Sequence, residues 1–113
     1  MTARQIRKDL QDIRYYYMHK EMFTKAENTG FKSEVERKTE QYVQLISKAP
    51  PRLYVLYYLL YVDGKTQYAA AQDLNVTDGH IRNMARQLQQ FLLDEINREG
   101  GKVNGDYYGT GLS

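Results

Sequence analysis

"TQYAAAQDLNVTDGHIRNMARQL", residues Thr66 to Leu88, carries a small-residue cluster, a turn and a half-apolar helix in one short run. Where two helices cross, a large side chain holds their backbones apart, so a small residue is needed at the crossing. Ala71 meets that need, with Ala70 beside it. The turn that follows requires a residue tolerant of positive φ, and Asn75 stands there. Val76 then plugs the core. Thr77 can accept a hydrogen bond from the first free N–H groups of the second helix, and Asp78 favours its positive dipole end. Ile81, Met84, Ala85 and Leu88 recur at helical spacing and turn inward. Asp78, Gly79, Arg82, Asn83 and Arg86 are thereby left on the outward side, with His80 and Gln87 at its edges.

Those outward types suit nucleic acid. Arginine pairs bidentately with guanine and asparagine with adenine, and both side chains also reach phosphates. Gly79 costs a helix roughly 1 kcal/mol against alanine, so its place in the first turn suggests close approach to another backbone. Lys65, just before the first helix of the pair, is placed to touch a phosphate. The plainer alternative is an ordinary helical corner with a solvated polar face.

Working outward, "LYVLYYLLYV" from Leu53 to Val62 is the longest apolar run, about half the roughly 20 residues that span a bilayer. It reads as a central core helix, apolar on nearly every side. "APPR" precedes it, where Pro51 can open the helix at its first position, and "VDGK" follows as a tight turn at Asp63 and Gly64. Nearer the start, Ile6, Leu10, Ile13 and Tyr17 mark a helix over about Ala3 to Glu27, closed by Asn28 and Gly30. Ser33 and Glu36 form an S-x-x-E capping box for a second helix, with Val35, Thr39, Tyr42, Ile46 and Ala49 on one face.

The pattern predicts an all-α chain. Residues 1–49 form an antiparallel helical hairpin, and 50–97 a three-helix helix-turn-helix domain whose last two helices cover about Thr66–Leu74 and Asp78–Asn97. Residues 98–113, with five glycines in "REGGKVNGDYYGTGLS", read as a flexible tail. The hairpin offers more apolar stripe than a small domain should bury. Ile6, Leu10, Ile13, Tyr17, Val35, Tyr42 and Ile46 are therefore the expected homodimer contacts, and a two-fold pair would match half-sites about 34 Å apart.

Charge sets limits on this reading. The net charge is only +2, and residues 1–49 hold ten Lys/Arg against seven Asp/Glu. Nucleic-acid binding must rest on a few placed side chains, with a shallow salt slope per monomer. Zero cysteines exclude disulfides and thiolate metal sites. The opening "MTARQIRKDL" lacks the apolar run of a secretory signal, so a cytoplasmic location is expected, with no membrane contact.

Other chemistry finds little purchase. His19 and His80 are the only histidines and have no carboxylates at ligand spacing, so no metal site is expected. Tyr15 to Tyr17 and the tyrosines of the apolar helix can stack on bases, but they fit better as core residues with hydroxyls at the rim. With no Gly-rich phosphate loop after a strand and no nucleophile beside a base, the chain reads as a non-enzyme without a cofactor.

From Leu53 to Leu92 the sequence resembles region 4 of bacterial sigma factors and the small late-gene transcription regulators of phages of Gram-positive bacteria, the ArpU/RinA-like group. Their pattern, an apolar helix, a turn and then T-x-x-x-x-A-x-x-L-x-V-T/S-x-x-x-I-R, is met by Thr66, Ala71, Leu74, Val76, Thr77, Ile81 and Arg82. Ala69 stands where the sigma pattern usually has an acidic residue. The resemblance implies a phage or prophage regulator acting in a bacterial host cell on double-stranded DNA, with the second helix of the pair in the major groove. It further implies a hairpin that dimerises or touches RNA polymerase. A packaging protein of the small-terminase type, or a helical adaptor that binds only protein, are the alternative readings.

Overall fold

The computed structural model describes residues 1–22 and 34–107, with side chains up to Glu99. Among the described residues every regular element is helical. α1 covers Ala3–Met18, α2 Glu34–Ile46 and α3 Pro51–Tyr57, the last running into a π turn at Tyr58–Val62. α4 covers Gln67–Leu74 and α5 Asp78–Tyr107.

α1 starts at a capping box. Thr2 Oγ1 accepts from the Gln5 backbone N–H at 3.3 Å, while the Thr2 N–H donates to Gln5 Oε1 at 2.7 Å. α1 ends at Met18, a break the periodicity does not show; residues 20–22 are helical again, and the predicted end near Glu27 lies outside the described residues. His19 leaves helical geometry at φ −125°, ψ 36° and stacks its ring on Tyr15 with centroids 4.1 Å apart. Its Nδ1 lies 3.0 Å from the Tyr15 carbonyl, which can only accept, so Nδ1 carries the proton. The expected turn at Asn28 and Gly30 and the Ser33 cap lie outside the described residues.

Ile6, Leu10, Ile13, Tyr42 and Ile46 are all at or below 1% exposure, buried in one cluster with Leu56, Tyr57, Ile81, Leu88 and Leu92. This corrects the assignment of those five residues to a dimer surface. The hairpin stripe is apolar because α1 packs on the π turn and on α5 of the same chain, and α2 packs on α1 and α5. Tyr17 and Val35 are half-buried rather than exposed. Each large side chain so buried contributes about 1.5–3 kcal/mol relative to an exposed one.

The α1–α2 contact also holds a polar cluster that periodicity gives no sign of. The Tyr42 hydroxyl donates to Asp9 Oδ2 at 2.7 Å, and Lys38 Nζ lies 2.9 Å from Asp9 and 3.3 Å from Asp12. Burial, then the hydrogen bond to Asp9, pushes the Tyr42 phenol well above its ordinary pKa. Lys48 at the end of α2 reaches Glu99 of α5 at 2.8 Å.

Pro51 takes the first position of α3, as its fixed φ favours. The segment is less central than its composition suggests: Leu53, Leu56, Tyr57 and Leu60 are buried, but Tyr54, Val55 and Tyr58 are 39%, 42% and 39% exposed. A tyrosine ring can lie along the surface with its hydroxyl in water, so an apolar-looking run need not be surrounded by core. In the π turn the Asp63 N–H donates to the Tyr58 carbonyl at 2.8 Å and the Lys65 N–H to that of Leu59 at 2.9 Å. Gly64 then reverses the chain at φ +72°. Arg14 of α1 fastens this reversal, its Nη2 donating to the Gly64 carbonyl at 2.7 Å.

α5 runs to Tyr107, ten residues past the predicted end at Asn97. Glycine disfavours helix by about 1 kcal/mol per residue. An existing helix nevertheless needs no new nucleus to grow, and the sequence offers no proline beyond Pro51 to stop it. The final residues of the expected tail, 108–113, lie outside the described ones.

Candidate functional site

The corner between α4 and α5 is built by local chemistry. Thr66 caps α4, its side chain accepting from the Ala69 N–H at 3.1 Å. Ala70 and Ala71 are 0% and 2% exposed where α4 meets α5. Asn75 adopts φ 57°, ψ 48°, the left-handed conformation that ends α4, and is the only non-glycine residue with positive φ among those described. The Val76 N–H closes the turn onto the Ala71 carbonyl at 2.9 Å. Thr77 Oγ1 then accepts from the His80 N–H at 3.1 Å and caps α5, a contact worth about 1 kcal/mol.

These caps fix the rotation of α5 against the core. Ile81, Met84, Ala85 and Leu88 are buried. Thr77, Asp78, Gly79, His80, Arg82, Asn83, Arg86 and Gln87 are all exposed, so the structure brings the predicted residues together along one accessible side of the helix start. Gly79 is not demanded by the chain itself. A Cβ there would meet Arg82 Nη2 at 3.8 Å and Thr77 Oγ1 at 4.0 Å, both ordinary contacts.

Two hydrogen bonds organise the polar side. Arg86 Nη2 donates to Asn83 Oδ1 at 2.6 Å, and Arg52 Nη2, from the start of α3, donates to Gln87 Oε1 at 2.9 Å. Sequence reasoning missed Arg52, because thirty-five residues separate it from its partner and only the packing of α3 on α5 joins them. On α4, Gln72 Nε2 donates to the hydroxyl of the exposed Tyr68 at 2.8 Å, which leaves the phenol proton free to donate outward.

Lys65 stands apart from the expectation made for it. Its ammonium is ion-paired with Asp73 of α4, and the hydrogen bond and charge of that carboxylate hold its pKa above the usual lysine value. A phosphate would have to compete with Asp73 for it.

Behind α5, Pro51, Val55, Leu74, Val76 and Met84 line an open apolar groove with Arg52 and His80 at its edge. Among the described residues no group of three or more His, Asp or Glu is placed to hold a metal ion, and no helix is long and apolar enough to cross a membrane.

No protein-family model matches this chain, and no curated protein or solved structure matches it either.

Proposed function

We propose that this chain is a sequence-specific DNA-binding transcription regulator of the sigma region 4-like, phage-regulator kind that its sequence resembles. In this reading α1 and α2 form a supporting hairpin, α4 and α5 are a helix-turn-helix, and the start of α5 enters the major groove of duplex DNA. The observation that carries it is the sidedness of α5. One side is sealed into the core by Ile81, Met84, Ala85 and Leu88, while Arg82, Asn83 and Arg86 are exposed on the other, beside a first turn with no side chain at Gly79.

The chemistry matches the task. A major groove about 12 Å wide admits one helix, and arginine and asparagine read guanine and adenine edges there. The protein-only adaptor reading gives the exposed basic side of α5 no task, and the small-terminase reading, which would use the same helix, has no observation of its own. A second copy, expected from half-site geometry, would have to be met through residues other than Ile6, Leu10, Ile13, Tyr42 and Ile46, which are buried.

Selection from a random duplex pool tests the reading. Enrichment of one short motif, lost on replacing Asn83 by alanine, supports it. A pool without enrichment at low salt contradicts it.

A further inference from the structure

We infer that Arg52 is a DNA-backbone contact of the same site, held in position by Gln87. The inference rests on reading α5 as a recognition helix, but its evidence is a separate contact. Arg52 is exposed at the second position of α3, and its guanidinium donates to Gln87 Oε1 at 2.9 Å. A cation from another helix is thus fixed at the edge of the exposed side of α5 that Gln87 and His80 mark, next to the turn that carries Arg86.

Its charge is available. Lys8, Lys38, Lys48 and Lys65 each lie against a carboxylate, whereas among the described residues no carboxylate pairs with Arg52. The bond to Gln87 is to a neutral amide and uses one of the five N–H donors of the guanidinium. The remaining donors keep the fork geometry that matches two phosphate oxygens. The same bond orients Gln87, whose amide oxygen is occupied and whose NH₂ group stays free to donate.

Position along the helix decides between base and backbone. Gln87 lies nine residues after Asp78, which at 1.5 Å per residue is about 14 Å from the start of α5. Recognition helices read bases with their first turns, and side chains farther along leave the groove floor for its phosphate wall. Arg52 therefore serves affinity and register, not base choice.

The test measures binding of the full chain and its Arg52→Ala, Arg52→Lys, Gln87→Ala and Asn83→Ala variants to a duplex recovered by selection and to a scrambled duplex, at two salt concentrations. Circular dichroism confirms that each variant is folded. Arg52→Ala should weaken both duplexes alike by roughly ten-fold and lower the salt slope by about one. Arg52→Lys should keep the slope while losing part of the affinity, and Gln87→Ala should show a smaller loss on both duplexes. If Asn83→Ala loses preference for the selected duplex but Arg52→Ala binds like the parent, the Arg52 contact is refuted and the recognition helix stands. A change of base preference in Arg52→Ala also refutes it. If the parent binds neither duplex, the recognition reading itself falls and takes this contact with it.

Discussion

Asn83 accepts a 2.6 Å hydrogen bond from Arg86, three residues on along the same exposed side of α5. A bidentate contact with adenine needs both the oxygen and the nitrogen of the asparagine amide. In the free protein the oxygen is engaged by Arg86, so under the proposed function the two side chains would meet DNA as a coupled pair. Arg86→Ala should therefore do more than remove a phosphate contact. We expect the losses of binding in Asn83→Ala, Arg86→Ala and the double variant to depart from additivity by about 0.5–3 kcal/mol. Strictly additive losses would show that the pair separates before DNA is bound.

Ala71 is 2% exposed where α4 crosses α5, and a leucine there has no space to enter. Overpacking of this kind costs about 1 to 3 kcal/mol. Thermal melting of Ala71→Leu should show that loss, with DNA binding falling in parallel. A parental melting temperature would mean that the helices do not cross at this residue.

At Asn75 the backbone sits at φ 57°. Glycine is at ease there and a β-branched residue is not, the left-handed region costing an ordinary residue roughly 1–2 kcal/mol. Asn75→Gly should melt near the parent and Asn75→Val well below it. Equal melting of the two would place the turn elsewhere.

Much of this corner was legible in the sequence because its causes are local. The small Ala71, the left-handed Asn75, the capping Thr77 and the inward set from Ile81 to Leu88 each act within a turn or two of the chain. The N-terminal third was less legible. Periodicity showed that Ile6, Leu10 and Ile13 share a face, but not that α5 and the π turn cover it, since burial against a distant element leaves the same pattern as burial against a second molecule. The same distance hid Arg52 beside Gln87 and Tyr42 against Asp9. The extent of α5 was missed for another reason: glycines lower helix stability without breaking the hydrogen-bond ladder as a proline would.

Asp12 and Tyr57 are among the groups whose shifted pKa values make stability depend on pH. Partial burial alone would raise the pKa of Asp12, but hydrogen bonds from Lys8 and Lys38, together with their charges, hold it below the ordinary carboxylate value. A depressed native pKa stabilises the fold above the unfolded value of about 3.9, and this contribution is lost as pH falls below it. Burial raises the Tyr57 phenol above its ordinary value, so its contribution is present below about pH 10 and lost as pH rises further. Melting temperature against pH should fall at both ends. Asp12→Asn should flatten the acid limb and Tyr57→Phe the alkaline one, and limbs unchanged by these substitutions would assign the titrations to other groups.

Arg82, Asn83 and Arg86 are exposed together while their helix is buried on its other side. The decisive measurement is the affinity of the parent chain and of the folded triple alanine variant for a selected duplex and a scrambled one at two salt concentrations. The parent should prefer the selected duplex. Arg82→Ala and Asn83→Ala should each cost about 1 to 3 kcal/mol on it, and the triple variant should lose the preference altogether. A folded triple variant that binds both duplexes like the parent would show that α5 does not read DNA, and the corner would then be a structural joint.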